Sequence, residues 1–433
     1  MGHLHHLKQE YRALAARLDR SPLPFPEPQT ERAWQGWKEI LEILFSPEEA
    51  ELGARLPWRP ATLAELAAEL GIAEAVLAPR LEAMCDKGVV MDLRHPETGR
   101  VKYLLAPPLG GFLEFSMMRA HDGIPKKRMA EALEAYCHGD DTFARELFDR
   151  PTRFGRAVAH ESALAEEIPE VLDWERASHL LGTASAIAVS LCYCRHKAEH
   201  LGRPCGAPTD NCLSLGVAAD FVVRRGFGRP IDRAEALELL ARAREAGLVQ
   251  LCDNVQSRPV YLCNCCGCCC EQLQAINRFG LRAVQPSGFV PARNAAGCKG
   301  CSRCARACPI AAISLRPHRA EATRKSAIEP AIDLDRCIGC GVCVGACKAH
   351  ALTMQRREKA PAVPRNGLER VVRMALERGQ LAELLFEQGD RRGLGFLNEL
   401  LGALCDLPLV KRALAHEQVG SRFVRVLLER RAR

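Results

Sequence analysis

A chain of 433 residues, 48% hydrophobic and 26% charged, has room for roughly two to four packed domains and the composition of an ordinary globular protein. No apolar run reaches the roughly 18 residues that a spanning helix needs; the longest, Ala177 to Leu191, is broken by Ser178, His179, Gly182, Thr183, Ser185 and Ser190. The formal charge is +7 and 22 residues are cysteine, yet the opening MGHLHHLKQE has neither the apolar stretch nor the cleavage site of a secretion signal. The cysteines therefore read as metal ligands in a reducing cytoplasm, not as a disulfide framework.

Residues 1–20 read as a polar helix, and Ser21 to Pro28, with four prolines in eight residues, as an extended linker. Trp34, Trp37, Ile40, Leu41 and Leu44 recur at helical spacing. Ser46-Pro47 starts a second helix that ends before Pro57, Thr62 caps a third that Gly71 closes, and Glu74 to Lys87 forms a fourth ending at Gly88. VVMDLRHPETGRVKYLL reads as two strands about a Pro-Glu-Thr-Gly turn. This order is that of a winged helix, so residues 30–105 are expected to form a winged-helix-like domain. Nucleic acid is not the expected partner. The candidate recognition helix sets Glu74, Glu82 and Asp86 against Arg80 and Lys87 and contains Pro79, whereas groove-reading helices supply Arg, Lys, Asn or Gln. A docking or architectural role is the better reading.

Residues 106–175 are expected to be a helical connector, with breaks at Pro107-Pro108, Gly139 and Pro151 and with Leu113, Met117 and Met118 in the core. Cys85, Cys137, Cys252 and Cys405 are isolated and read as small buried hydrophobes. Residues 176–285 read as a cysteine-rich α/β domain. An apolar run, Ala184 to Leu191, is expected to be a strand that delivers Cys192, Cys194, Arg195 and His196, with Cys205 and Cys212 following. A second strand, Val260-Tyr261-Leu262, delivers Cys263, Cys265, Cys266, Cys268, Cys269 and Cys270, and the helical stretch Arg233 to Ala246 between them suits a crossover. Six cysteines in eight residues exceed any packing need. All ten cysteines of this field are candidates for a third site, with the subset open. A third iron–sulfur cluster is the first choice. Zinc is the second, with Cys192, Cys194, His196 and His200 as a possible set, although the two histidines by themselves read as surface or capping residues. A thiol switch at Cys265-Cys266, beside Arg195, is the third.

Sixteen residues from Cys298 to Ile313 recur 39 positions later as Cys337 to Leu352. The copies read Cys298-x2-Cys301-x2-Cys304-x3-Cys308 and Cys337-x2-Cys340-x2-Cys343-x3-Cys347. Three cysteines so spaced wrap three corners of a cubane from one loop, and Gly300 and Gly339 let that loop turn with positive φ. In such runs the fourth cysteine ligates the other cluster. Cys298, Cys301, Cys304 and Cys347 are therefore assigned to one [4Fe–4S] cluster, and Cys337, Cys340, Cys343 and Cys308 to a second. Zinc knuckles or spare thiols are the competing readings, and eight cysteines in a duplicated register argue against both. Pro309 follows the first copy, as the motif expects; Lys348 replaces it in the second.

Residues from about 290 to 356 resemble a bacterial two-cluster ferredoxin domain, and the Cys-x-Cys-Arg and Cys-Asn-Cys-Cys segments are similar to those of larger bacterial 4Fe-4S dicluster-domain proteins. The resemblance implies low-potential one-electron transfer. The domain is placed at 286–360, where 13 Lys and Arg face 5 Asp and Glu. That surplus either offsets cluster charge or offers a docking face to an acidic partner. Leu315 to Ala331 is expected to be a surface excursion, and 365–433 a C-terminal helical module.

The expected architecture is α+β and multidomain. The expected function is electron transfer to or from a redox partner protein. One alternative is an iron–sulfur oxidoreductase with its active site in the 192–270 field, so the question of enzyme activity stays open. Another is a redox-sensing winged-helix regulator. Neither G-x-G-x-x-G nor a P-loop occurs, which leaves flavin or nicotinamide chemistry to a partner.

Overall fold

The computed structural model describes residues 7–57, 59–164, 168, 171–317 and 328–381. Cys405, most of the expected C-terminal module and the tip of the Leu315 to Ala331 excursion lie outside the described residues.

Local signals position the first elements. Helix α1 (Gln9–Asp19) buries Tyr11, Leu14, Ala15 and Leu18. Helix α2 (Glu31–Leu44) begins where the Thr30 side chain accepts the Ala33 N–H, and its Trp34, Trp37, Ile40, Leu41 and Leu44 form a buried stripe. Capping boxes open α3 (Pro47–Arg55) and α4 (Leu63–Leu70), Ser46 with Glu49 and Thr62 with Glu65. Left-handed Gly71 and Gly88 close α4 and α5 (Glu74–Lys87). Strands β1 (Val90–Arg94) and β2 (Val101–Leu105) form an antiparallel hairpin.

Beyond the hairpin, α6 (Leu113–Phe115) leads to α7 (Lys126–Gly139), which packs along α2. A Cβ on Gly36 would stand 2.5 Å from the Ala132 carbonyl oxygen, and one on Gly139 would stand 2.8 Å from the Ala33 Cβ. Glycine at both points lets the helices touch. After α8 (Thr142–Phe148) the connector departs from the helical expectation. Gly155–Val158 is strand β3, buried throughout and bonded to a neighbour on each side. Its four residues, Gly155-Arg156-Ala157-Val158, satisfy two backbone ladders inside a sheet, which a helix at this place would not do.

That sheet has the order β6-β4-β5-β8-β7-β3-β9. It is built from β4 (Ile187–Leu191), β5 (Asp210–Leu215), β6 (Gly228–Pro230), β7 (Val249–Asp253), β8 (Tyr261–Cys265) and β9 (Val284–Gln285). The connections carry α9 (Ala177–Thr183), α10 (Tyr193–His200), α11 (Val217–Arg224), α12 (Arg233–Glu245) and α13 (Glu271–Phe279). Neighbouring strands are antiparallel apart from β3 and β9, so the region expected to be α/β is built on a mainly antiparallel sheet. Because β5 runs between them in the opposite sense, β4 and β8 point the same way and end at one edge. Both cysteine-bearing strand ends meet there. Helix α12 links β6 to β7, which run in the same direction with three strands between them.

The end of α11 explains the acid on α5. Arg225 pairs with Glu82 and Asp86, and Arg224 and Arg225 both hold the buried Asp92 of β1. One apolar core runs from Leu7 through the α2–α7 pair and the sheet to Ile338 and Met374.

The repeat folds as β10 (Phe289–Arg293), α14 (Arg303–Ala307), β11 (Ile313–Pro317), β12 (Ile328–Ile332), α15 (Val342–Gly345) and β13 (Leu352–Arg356). Strand β10 pairs antiparallel with β13, and β11 with β12. Helix α16 (Gly367–Glu377) follows and inserts Arg370 against the buried Asp253. Among the described residues no helix is long and apolar enough to cross a membrane.

Candidate metal centres

The repeat is a repeat of backbone as well as of sequence. Gly300 and Gly339 both have positive φ, 62° and 69°. So do Ser302 and Gly341 (63° and 83°) and Ala311 and His350 (52° and 49°), each pair 39 residues apart. The third cysteine of each run lies in the short helix, α14 or α15, and a strand follows the fourth. The Ala312 N–H donates to Cys308 Sγ at 3.2 Å, and at the matching place the Ala351 N–H donates to Cys347 Sγ at 3.4 Å. Such N–H···S bonds stabilise thiolate and tune a cluster's potential.

The two quartets have different surroundings. Burial raises the Cys343 pKa first, followed by the charges of Cys340, Cys337 and Cys308, and Cys304 acts last. The cysteines acting on Cys304 are Cys347 and Cys298. Cys340 and Cys343 are buried, and with Cys308, Cys337, Gly339 and Gly341 they line a cradle. Cys301 is exposed, as are Lys299, Arg303 and Arg306 around it. Eight soft thiolates on two such loops are a donor set that suits iron–sulfur centres.

The ten cysteines of the 192–270 field gather at the shared edge of β4, β5 and β8. Cys192 caps α10 and Cys270 caps α13. Cys212 and Cys263 face each other across β5 and β8, with their sulfurs 3.2 Å apart. From there side-chain contacts run to Cys265, Cys270, Cys194 and Cys192. All six thiols of this chain have raised pKa values; for Cys194, burial is the main cause. The other four, Cys205, Cys266, Cys268 and Cys269, form a tighter group, with their sulfurs all within 4.8 Å of one another, and Cys205, Cys266 and Cys269 also pack against Cys192 and Cys194. Hydrogen bonding from Cys269, with help from the Arg195 guanidinium, brings Cys266 down to about 4 against the effect of burial. Burial pushes Cys268 up to about 11. His196 and His200 are elsewhere occupied: His196 Nδ1 bonds the Met117 carbonyl at 2.7 Å, and its Nε2 lies 3.1 Å from His200 Nε2.

Beneath the field lies an ion network that sequence reasoning missed. Lys197 Nζ sits 3.0 Å from Glu134 and 2.6 Å from Glu271, and His138 lies 2.9 Å from both carboxylates. Burial by itself would raise the Glu271 carboxyl, but Lys197 and His138 bring it down to about 2. The network ties α7 to α10 and α13. It also lines a cavity of about 250 Å³ whose wall includes Cys194, Cys205, Cys268 and Cys269.

One close contact joins the field to the repeat. Gly267 lies so near Pro309 that a Cβ on it would stand 2.2 Å from the Pro309 carbonyl oxygen. Asn277 Nδ2 donates to the carbonyl oxygens of both residues, at 3.1 and 2.9 Å.

No curated protein and no solved structure matches the chain. A family model described as the 4Fe-4S dicluster domain matches residues 297–351, a segment that contains both cysteine runs in full. The chain is thus an iron–sulfur protein whose 297–351 segment is a 4Fe–4S-binding domain.

Proposed function

We propose that the chain is an electron-transfer protein with two [4Fe–4S] clusters, one on Cys298, Cys301, Cys304 and Cys347 and one on Cys337, Cys340, Cys343 and Cys308, and a third metal site in the 192–270 field. The observation that carries this reading is the Gly267–Pro309 contact. Pro309 follows Cys308, which is assigned with Cys337, Cys340 and Cys343 to the more buried, inner quartet, the Cys298 quartet being the outer one, and Gly267 lies between Cys266 and Cys268. Electrons therefore have a short path between the inner quartet and the field. The outer quartet faces solvent at Cys301 among Lys299, Arg303 and Arg306, a surface that suits an acidic redox partner. A reducing cytoplasm suits so many thiols.

The test uses the full chain, purified without oxygen. Cys192→Ser and Cys263→Ser are each expected to reduce metal content while the ferredoxin-type EPR signals persist. Unchanged metal and unchanged signals in both variants would refute metal binding by the six thiols that run from Cys212 to Cys192.

A second reading, an iron–sulfur oxidoreductase, is favoured by the cavity of about 250 Å³ beside Cys194, Cys205, Cys268 and Cys269. Lys197, Arg203 and Arg278 in its wall share one lining carboxylate, Glu134, which leaves a positive surplus to hold a small anionic substrate near the thiols. Turnover of such a substrate by the reduced protein, abolished by Cys194→Ser, is the expected sign. The regulator reading has less support, because the exposed residues of α5 include Glu74, Glu82 and Asp86, while Lys87 is paired with Glu49. A winged-helix-like role for residues 30–105 is better read as docking, with α5 held against α11.

A further inference from the structure

The field's ten cysteines divide into two sets by geometry, and the sets differ in what they can hold. We propose that Cys205, Cys266, Cys268 and Cys269 bind a single zinc ion, at a site separate from the six-thiol chain of Cys212, Cys263, Cys265, Cys270, Cys194 and Cys192. This inference rests on the reading that the field binds metal.

The first argument is size. Four thiolates about 2.3 Å from a tetrahedral zinc stand about 3.8 Å from one another. Cys205 Sγ and Cys266 Sγ are 3.9 Å apart, and Cys268 Sγ and Cys269 Sγ are 3.6 Å apart. All four sulfurs lie within 4.8 Å of one another. A cubane needs wider spacing, since four irons lie between its thiolates. The molecule supplies its own comparison: among the described residues no other set of three or more ligating side chains is this tight, and that includes both ferredoxin-type quartets.

The second argument is charge. Four thiolates around a divalent ion leave a net negative charge; water can offset it at the exposed Cys268, but on the side of the buried Cys269 it needs a cation. The Arg195 guanidinium, 2% exposed, lies beside this group. Its Nη1 donates to Asn211 Oδ1 at 2.7 Å and to the Pro208 carbonyl at 2.8 Å, and its Nη2 donates to the Asn264 carbonyl at 2.8 Å. The remaining attraction of the group is to the field's cysteines, with Cys192 and Cys266 foremost. A buried cation held by three neutral oxygens is placed to offset a negative metal centre.

The third argument is connectivity. Cys205 follows α10, whereas Cys266, Cys268 and Cys269 occupy the tight turn between β8 and α13, about sixty residues away. Zinc there staples two loops and fixes Gly267, the residue in contact with Pro309. Zinc takes no electrons, so the ion sets the spacing between the inner quartet and the six-thiol chain without itself carrying charge between them.

The experiment is plasma mass spectrometry for zinc and iron on the anaerobically purified full chain and on a Cys205→Ser/Cys269→Ser variant. The proposal predicts one zinc per chain in the parent, lost in the variant with iron unchanged. Loss of iron in place of zinc would overturn the zinc assignment and leave the metal-binding field standing. No change in either metal would overturn the four-cysteine site, whereas metal binding by the rest of the field is decided by the Cys192→Ser and Cys263→Ser variants. Should the variant fail to fold, cobalt exchange into the parent protein decides: thiolate-to-cobalt charge transfer with tetrahedral ligand-field bands supports the site, and their absence refutes it.

Discussion

Gly267→Ala probes the junction between the two cysteine regions without touching a ligand. The new Cβ would lie 2.2 Å from the Pro309 carbonyl oxygen, 3.0 Å from its carbonyl carbon and 3.1 Å from its Cα. Ordinary contacts begin near 3.4 Å, so the loops must part by about an ångström, and both sides are backbone with no rotamer to absorb the shift. Overpacking of this kind costs about 1–3 kcal/mol. If the cost falls on the junction, its opening equilibrium rises about 5- to 150-fold. Amide hydrogen exchange reads that directly. The Cys270 and Ala311 N–H groups, bonded to the Cys266 and Cys308 carbonyls, should exchange faster by that factor, while those of α2 remain unchanged. Iron and zinc content should hold, and electron exchange between the repeat and the field should slow. Unaltered exchange at both loops would mean that the junction does not form, and the proposed path would go with it.

Cys308→Ala and Cys347→Ala test the crossed assignment: the first should impair the Cys337 quartet and the second the Cys298 quartet, seen as loss of one EPR signal each, and loss of the opposite signal would reverse the assignment. Lys197→Met leaves Glu271 to His138 alone and Glu134 to His138, Arg203 and Arg278, so denaturant unfolding should show a loss of about 1.5–3 kcal/mol, the worth of a charged hydrogen bond. His138 is lowered by burial but raised more by Glu271 and Glu134, for a net raised pKa. Its contribution is therefore complete below the usual histidine range and is lost as pH rises through the elevated folded value. The unfolding midpoint of the parent should fall across that rise more steeply than that of His138→Gln, and equal slopes would remove the ion network's charged histidine.

What the sequence disclosed was local. The helix starts at Ser46 and Thr62, the closing glycines and the positive φ of Gly300 and Gly339 each depend on a few adjacent residues, and all are found in the structure. The division of the ten field cysteines could not be read in advance. It depends on the register of β5 against β8 and on Cys205 returning to a turn about sixty residues on. The alternative set of Cys192, Cys194, His196 and His200 looked plausible because its members are close in sequence, but α10 brings His196 to the Met117 carbonyl. Strand β3 was missed because its four residues are too few for a periodic signal, and their partners lie far along the chain. The Lys197 network had no signature at all, since Glu134, His138, Lys197 and Glu271 come from three separate helices. Arg195 was noticed as a neighbour of thiols; its oxygen cage was not.

The central claim is that the repeat holds two clusters which carry electrons. Iron and sulfide analysis with EPR-monitored reduction of the full chain, beside a Cys304→Ala/Cys343→Ala variant, tests it most directly. The account predicts two reducible [4Fe–4S] signals in the parent and the loss of both, with about eight irons, in the variant. Retention of those irons, or zinc in their place, would contradict it.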